Sequence, residues 1–327
     1  MADQFDGNVV ETLAQKGVSR RDFLKFCTMM AGTLALPASM APQIAHAVEA
    51  ATRPPVVWLE FQDCAADTEA FLRASDPSVA EIVLETISLN YHETIMTAAG
   101  HRSEELLKKT VEAGGYLTVV EGAIPTKDGG IYCCIGGRTA LDIVEEVASN
   151  TAAILAVGAC ASWGGWPSAS PNPTGARGVG DVVSGVPIIN LTGCPHNSVN
   201  SVATIVHYLT FGSLPNTDHL GRPLFAYGKR IHDNCERRGH FDAGQYVEAW
   251  GDEGHRKGWC LYKMGCKGPQ TYMNCPTVRY NEGTNWPIGA GHGCVGCAEF
   301  GFWDNMSPFY RRLPDVPGFG VEATADK

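Results

Sequence analysis

The chain has 327 residues, 44% of them apolar and 18% charged, with a formal net charge of −10. That suits one large or two medium globular domains with a sizeable core. The acidic balance and the lack of a basic stripe exclude a protein that grips nucleic acid, whose phosphates need clustered Lys and Arg.

Near the N-terminus, Ser19-Arg20-Arg21-Asp22-Phe23-Leu24-Lys25 places two arginines ahead of a mild apolar run, Phe26 to Met40. Ala45-His46-Ala47 follows as a small-x-small cleavage signal. This is the layout of an export peptide, and the arginine pair points to the twin-arginine route. The competing reading is an amphipathic N-terminal helix. Cleavage is expected after Ala47, so residues 1–47 are read as signal peptide rather than fold, and Cys27 is lost with them. The mature chain then runs from Val48 to Lys327, in the periplasm or on the outer face of the cytoplasmic membrane. The apolar run is too short and interrupted to span a bilayer, and no transmembrane helix is expected in the chain as given.

Strands and helices then alternate. Val56 to Phe61 reads as a strand that enters a short polar loop, Gln62 to Asp67, and a helix through Arg73. A second strand is expected over Glu81 to Leu89, a helix over His101 to Glu112 and a strand over Tyr116 to Glu121. Thr139 to Ser149 reads as a helix, and Ala152 to Val157 and Val186 to Leu191 as strands, the last followed by a helix to about Phe211. Nearly continuous apolar strands between helices predict an α/β fold, a doubly wound parallel sheet covered on both faces. Trp163 to Gly185 reads as irregular. Cys64, Cys160 and Cys194 each fall just past the C-terminal end of a strand, where open α/β sheets bind ligands.

Beyond Leu214-Pro215 the periodicity fades, which divides the chain into 48–220 and 221–327. The second part holds His232-Asp233-Asn234-Cys235, Cys260, Cys266, Cys275 and Cys294-Val295-Gly296-Cys297, set among glycines, prolines and polar turn residues. So little apolar periodicity calls for something other than a hydrophobic core to hold the segment, and soft thiolates suggest inorganic clusters. Cys133 and Cys134 are adjacent, cannot easily serve one centre, and read as packing residues. One Cys3His set would suit structural zinc, but three thiol sets in one exported chain favour an electron relay.

His232 to Cys235, Gly258 to Pro269, Asn274-Cys275-Pro276 and Gly291 to Cys297 resemble the small subunit of nickel–iron uptake hydrogenases. The likeness extends to Glu121-Gly122-Ala123-Ile124-Pro125, Gly158-Ala159-Cys160, Pro171 to Gly175, Gly193-Cys194-Pro195 and the twin-arginine leader. It implies a flavodoxin-like domain with a proximal cluster and a C-terminal irregular domain with medial and distal clusters. The partner would be a large subunit that carries the nickel–iron centre and splits H2, in a heterodimer or a dimer of heterodimers. Electrons would leave near His232 for a cytochrome b or another acceptor. Carried over by residue, the distal 4Fe–4S ligands are His232, Cys235, Cys260 and Cys266. The medial 3Fe–4S ligands are Cys275, Cys294 and Cys297, with Pro287 near the fourth corner. The proximal 4Fe–4S ligands are Cys64, Cys160 and Cys194 plus one more.

That last ligand departs from the family's Cys-x-x-Cys, because this chain has Cys64-Ala65-Ala66-Asp67. Asp67 is expected on the fourth iron, the alternative being a helix-capping aspartate. Ala66 and Gly165 stand where oxygen-tolerant members carry two extra cysteines, so a six-cysteine cluster is not expected. Glu60, Asp63 and Glu69 lie near the proximal loop, either as proton-exit groups or as solvated and capping carboxylates. Membrane-bound members continue past a segment like Gly320 to Lys327 into an anchor helix, so the chain as given reads as truncated or naturally unanchored. The apo chain alone is expected to fold poorly. Two other readings are an iron–sulfur subunit of another redox complex, which would lack the segment from His232 to Cys297, and an exported zinc-binding protein.

Overall fold

The computed structural model describes residues 19–50, 54–73, 87–281 and 283–311. Its centre is a five-stranded sheet: β1 (Pro55–Glu60), β2 (Ser88–His92), β3 (Leu117–Glu121), β4 (Ala153–Val157) and β5 (Ile188–Leu191). All neighbours are parallel, in the order β2-β1-β3-β4-β5. This is the flavodoxin-like doubly wound order, whose switch point lies between β1 and β3.

Parallel strands covered on both faces need apolar side chains at every position. Val57, Leu59, Val120, Ile154 and Ala156 point to one core, under α4 (His101–Ala113) and α5 (Ala140–Ala148). Val56, Trp58, Val119, Leu155 and Leu191 point to the other. That second core includes Val202, Ala203 and Val206 of α7 (Ser198–Phe211). It runs on through Ile231, Leu261, Met273, Trp286 and Ile288, so the two segments divided near residue 220 share one continuous apolar core. Local capping agrees with the elements: Thr139 and Asn197 accept from the backbone N–H of Asp142 and Val199, at 3.1 and 3.0 Å.

Three expectations need correction. The second strand is Ser88–His92, so it runs three residues past the expected end at Leu89; residues 81–86 of the expectation lie outside the described residues. As the edge strand it needs no continuous apolar run; its place follows from pairing Pro55 with Ser88 and, after an irregularity, Trp58 with His92. The segment 163–185 is not wholly irregular: Ala176–Arg177 pairs with Ile124–Pro125, and Val179–Val182 is helical. Cys133 packs against the α4/α5 core, but Cys134 is exposed.

The leader is a further departure from expectation. Residues 20–50, read as lying outside the fold, form α1 (Arg20–Thr33) and α2 (Ala41–Ala50), which pack on each other and on α7. In α1, Phe23, Phe26, Cys27, Met30 and Ala31 are buried, the i, i+3, i+4, i+7 stripe of an amphipathic helix. The export layout and the amphipathic helix coincide in one segment. Arg20 and Arg21 stay exposed, whereas Ala45 is buried within α2. Among the described residues no helix is long and apolar enough to cross a membrane.

Candidate metal centres

The first centre forms at the C-terminal edge of the sheet. Cys64 follows β1, Cys194 follows β5, and Cys160 lies on α6 (Gly158–Trp163), a short helix that starts directly after β4. The charges of Asp67 and Cys194 both act on Cys160, and those of Asp67 and Cys64 on Cys194. The four residues expected around one cluster therefore converge. Burial raises the Cys160 thiol, and it pushes Cys194 up to about 11.

Asp67 does not cap its helix. The N-cap of α3 (Ala66–Leu72) is Ala65, at φ 56° and without a side-chain cap. The Asp67 carboxylate instead sits 6% exposed, with Oδ1 accepting from the backbone N–H of His196 at 2.6 Å and lying 2.7 Å from its Nδ1. Oδ2 makes no hydrogen bond among the described residues and faces Gly158, where an added Cβ would overlap it. One oxygen is anchored and the other, free of hydrogen bonds among the described residues, lies against Gly158.

Glu121, at the end of β3, supports this loop from beneath. Fully buried, it accepts from the backbone N–H of Asp67 at 2.9 Å, from that of Thr68 and from Trp58 Nε1 at 3.2 Å. The sequence shows Glu121 only as part of a motif, and His196 gives no signal at all, because their roles arise from contacts 54 and 129 residues apart. Of the three proton-exit candidates, Glu69 is exposed and paired with Arg73. Glu60 accepts from Thr68 and Thr94. Burial pushes Asp63 up to about 7.

The second centre gathers Cys275, Cys294 and Cys297. Each feels the charge of at least one of the others, and burial pushes Cys275 and Cys297 up to about 12 and Cys294 well above its ordinary value. The Cys194 charge also acts on Cys297, so the first and second centres lie within electrostatic reach of each other. Pro287 is exposed between buried Trp286 and Ile288.

The third centre is a small cavity of about 20 Å³ whose lining includes His232, Cys235, Cys260 and Cys266 together. Burial and then the Arg238 charge push His232 down to about 4, which leaves its ring neutral and able to ligate. Burial raises Cys235 to about 11 and Cys260 to about 12. The Cys294 backbone N–H donates to Cys266 Sγ at 3.3 Å, so the second and third centres touch.

Thiols this far raised stay protonated until a cation replaces the proton. A tetrahedral zinc ion needs its ligand atoms about 2.0–2.3 Å from one point. Among the described residues no group of three or more His, Cys, Asp or Glu is placed to hold a metal ion. The ten candidate Cys and His residues and Asp67 fall into three separate sets along the chain's fold.

The chain is similar to known proteins over nearly its whole length. Residues 227–310 match the C-terminal family of the NiFe/NiFeSe hydrogenase small subunit, and residues 64–208 match the NADH ubiquinone oxidoreductase 20 Kd subunit family. An uptake hydrogenase small subunit from Azotobacter vinelandii is 48% identical over 319 residues, 97% of this chain and 89% of that protein. The periplasmic NiFe hydrogenase small subunit 1 of Nitratidesulfovibrio vulgaris is 49% identical over 304 residues, 92% of this chain and 96% of its own. In structure, a reduced, active NiFeSe hydrogenase from Desulfomicrobium baculatum superimposes with a TM-score of 0.74 at 33% identity, covering 80% of this chain and 100% of that one. The C-terminal match removes the reading as a redox subunit without this segment. The chain belongs to the NiFe hydrogenase small subunits, the electron-transferring part of an H2 oxidoreductase whose nickel site lies on the partner large subunit.

Proposed function

We propose that this chain carries electrons from H2 oxidation through three iron–sulfur clusters held by its own side chains. Cys64, Asp67, Cys160 and Cys194 would hold a proximal 4Fe–4S cluster; Cys275, Cys294 and Cys297 a medial 3Fe–4S cluster; His232, Cys235, Cys260 and Cys266 a distal 4Fe–4S cluster. When bound, these clusters supply one-electron carriers between the partner's nickel site and an external acceptor.

The observation that carries the reading is the order of contacts between sets. The Cys194 charge acts on Cys297, and the Cys294 backbone N–H donates to Cys266 Sγ at 3.3 Å. The first set is thus next to the second, and the second to the third. A backbone N–H aimed at sulfur also favours the thiolate, and such hydrogen bonds are among the features that set a cluster's potential. Glu121 holds the Asp67 loop and His196 fixes one carboxylate oxygen, which leaves Oδ2 for iron. The raised thiols release their protons as metal enters.

The exit lies near His232, where Arg237 and Arg238 also line the cavity. A cytochrome b or another acceptor with an acidic face suits that edge. Twin-arginine export fits the exposed Arg20 and Arg21.

The test is a structure of the copurified complex with the fourth corner of the proximal cluster resolved, together with iron, sulfide and nickel analysis. Density running from iron to the Asp67 carboxylate supports the Cys3Asp cluster. An empty or water-bound corner removes Asp67 as a ligand. Zinc without sulfide, and no nickel-bearing partner, overturns the whole reading. Fractionation of an Arg20→Lys, Arg21→Lys precursor tests the export route: retention in the cytoplasm supports it, and unchanged export removes it.

A further inference from the structure

Lys267 follows the distal ligand Cys266 directly, yet its side chain is among the largest fully buried ones, at 1% exposed. Its Nζ donates to the carbonyl oxygens of Gly265 at 2.8 Å and Phe309 at 3.5 Å, and to that of Arg311. All three acceptors are uncharged. Among the described residues no carboxylate pairs with Lys267; the negative charges that act on it are those of Cys266 and Cys294. These two residues belong to different cluster sets and touch each other through the Cys294 N–H.

An ammonium buried without a counter-charge is costly, and carbonyl groups alone offset that cost only in part. Among the described residues the missing negative charge is available in one place, the cysteine sets assigned to the two clusters. The backbone around the lysine is built to keep it there. Its own N–H donates to the Cys294 carbonyl at 2.8 Å. Gly265, at φ +93°, lets the 265–267 turn meet the 309–311 backbone so closely that an added Cβ would lie 2.5 Å from Phe309 O.

We propose that the Lys267 ammonium is the buried counter-charge shared by the medial and distal clusters and holds both of their reduction potentials up. This rests on the ligand assignment above. The sign follows from Coulomb's law: an added electron is favoured next to a fixed positive charge, and the low dielectric of a buried site strengthens the effect. The proximal cluster does not share this residue and should be untouched. Because the two clusters feel one charge, the lysine shifts both potentials in the same direction.

The experiment is an EPR-monitored redox titration of the purified heterodimer carrying Lys267→Met or Lys267→Gln, with iron and sulfide measured in each. Glutamine keeps N–H donors for the carbonyl groups but has no charge. The expected result is that both variants keep their iron, that the medial and distal midpoints move to lower potential, and that the proximal midpoint stays. Wild-type midpoints in Lys267→Gln, with full iron content, overturn the proposal and leave the lysine as a carbonyl strap. If both variants lose iron, Lys267→Arg decides. Recovery of iron with the restored charge supports the counter-charge, and no recovery overturns it. Failure of the ligand assignment is separate, because it would show in the iron and sulfide content of the wild-type complex.

Discussion

The backbone N–H of Cys294 points at Cys266 Sγ across 3.3 Å, although the two cysteines are 28 positions apart in the chain. One is assigned to the medial cluster and the other to the distal. Replacing the sulfur with oxygen, Cys266→Ser, should remove the distal cluster and the hydrogen-bonded step between the two sets. H2-dependent reduction of an external dye should fall on the order of 10-fold or more, the scale of loss when metal surroundings are disturbed. Isotope exchange at the partner's nickel site should persist. Dye reduction at the wild-type rate would show that electrons leave by another route.

Asp67 is anchored by His196, and its charge acts on Cys160 and Cys194. Asp67→Asn keeps an oxygen for the His196 N–H but weakens the ligand, so the proximal centre should lose iron while the fold survives. Asp67→Cys restores a fourth thiolate but strips His196, already buried with Nε2 unpartnered, of its Nδ1 contact. An unsatisfied buried polar group costs about 1–3 kcal/mol, so Asp67→Cys should retain four irons and melt at lower temperature. Iron analysis and thermal melts of the heterodimer separate the two effects.

Gly165 adopts φ +52°, and a Cβ there would overlap Cys160 Sγ and lie 2.7 Å from Cys160 Cα. Gly165→Cys therefore does not graft an extra cluster ligand onto this backbone. It should displace Cys160 and lower the proximal iron content. A variant with full iron and an altered proximal EPR signal would show that α6 can shift to accept it.

Glu93 gives a pH prediction away from the metal sites. Burial raises its carboxyl from 4.5 to about 8, against the hydrogen bond it accepts from the Glu60 N–H; that bond is 2.8 Å long. A carboxyl raised on folding contributes stability that is fully present below its unfolded value and lost as pH rises through the folded one. Melting temperature should fall between about pH 4.5 and pH 8. Glu93→Gln should flatten that slope, as followed by melts across the range.

Much of this protein is legible without coordinates. Alternating apolar strands and helices point to the doubly wound sheet, because parallel strands covered on both faces must be apolar throughout. The three N-terminal cysteines fall at strand ends, where such a sheet opens. The spacings His232-xx-Cys235 and Cys294-xx-Cys297 are local, and two ligands on one turn need no long-range information. Periodicity ends the edge strand at Leu89, short of His92, because its extent depends on the register it takes with β1, not on its own hydrophobicity. The leader reads first as an address and second as an amphipathic helix, since its apolar stripe gains a partner only once α7 is built. The tertiary structure alone decided what surrounds the ligands: His196 on Asp67, Glu121 beneath the loop, Lys267 between two sets, and which sulfur receives which N–H. Those contacts join residues tens to more than a hundred positions apart, and no local pattern encodes them.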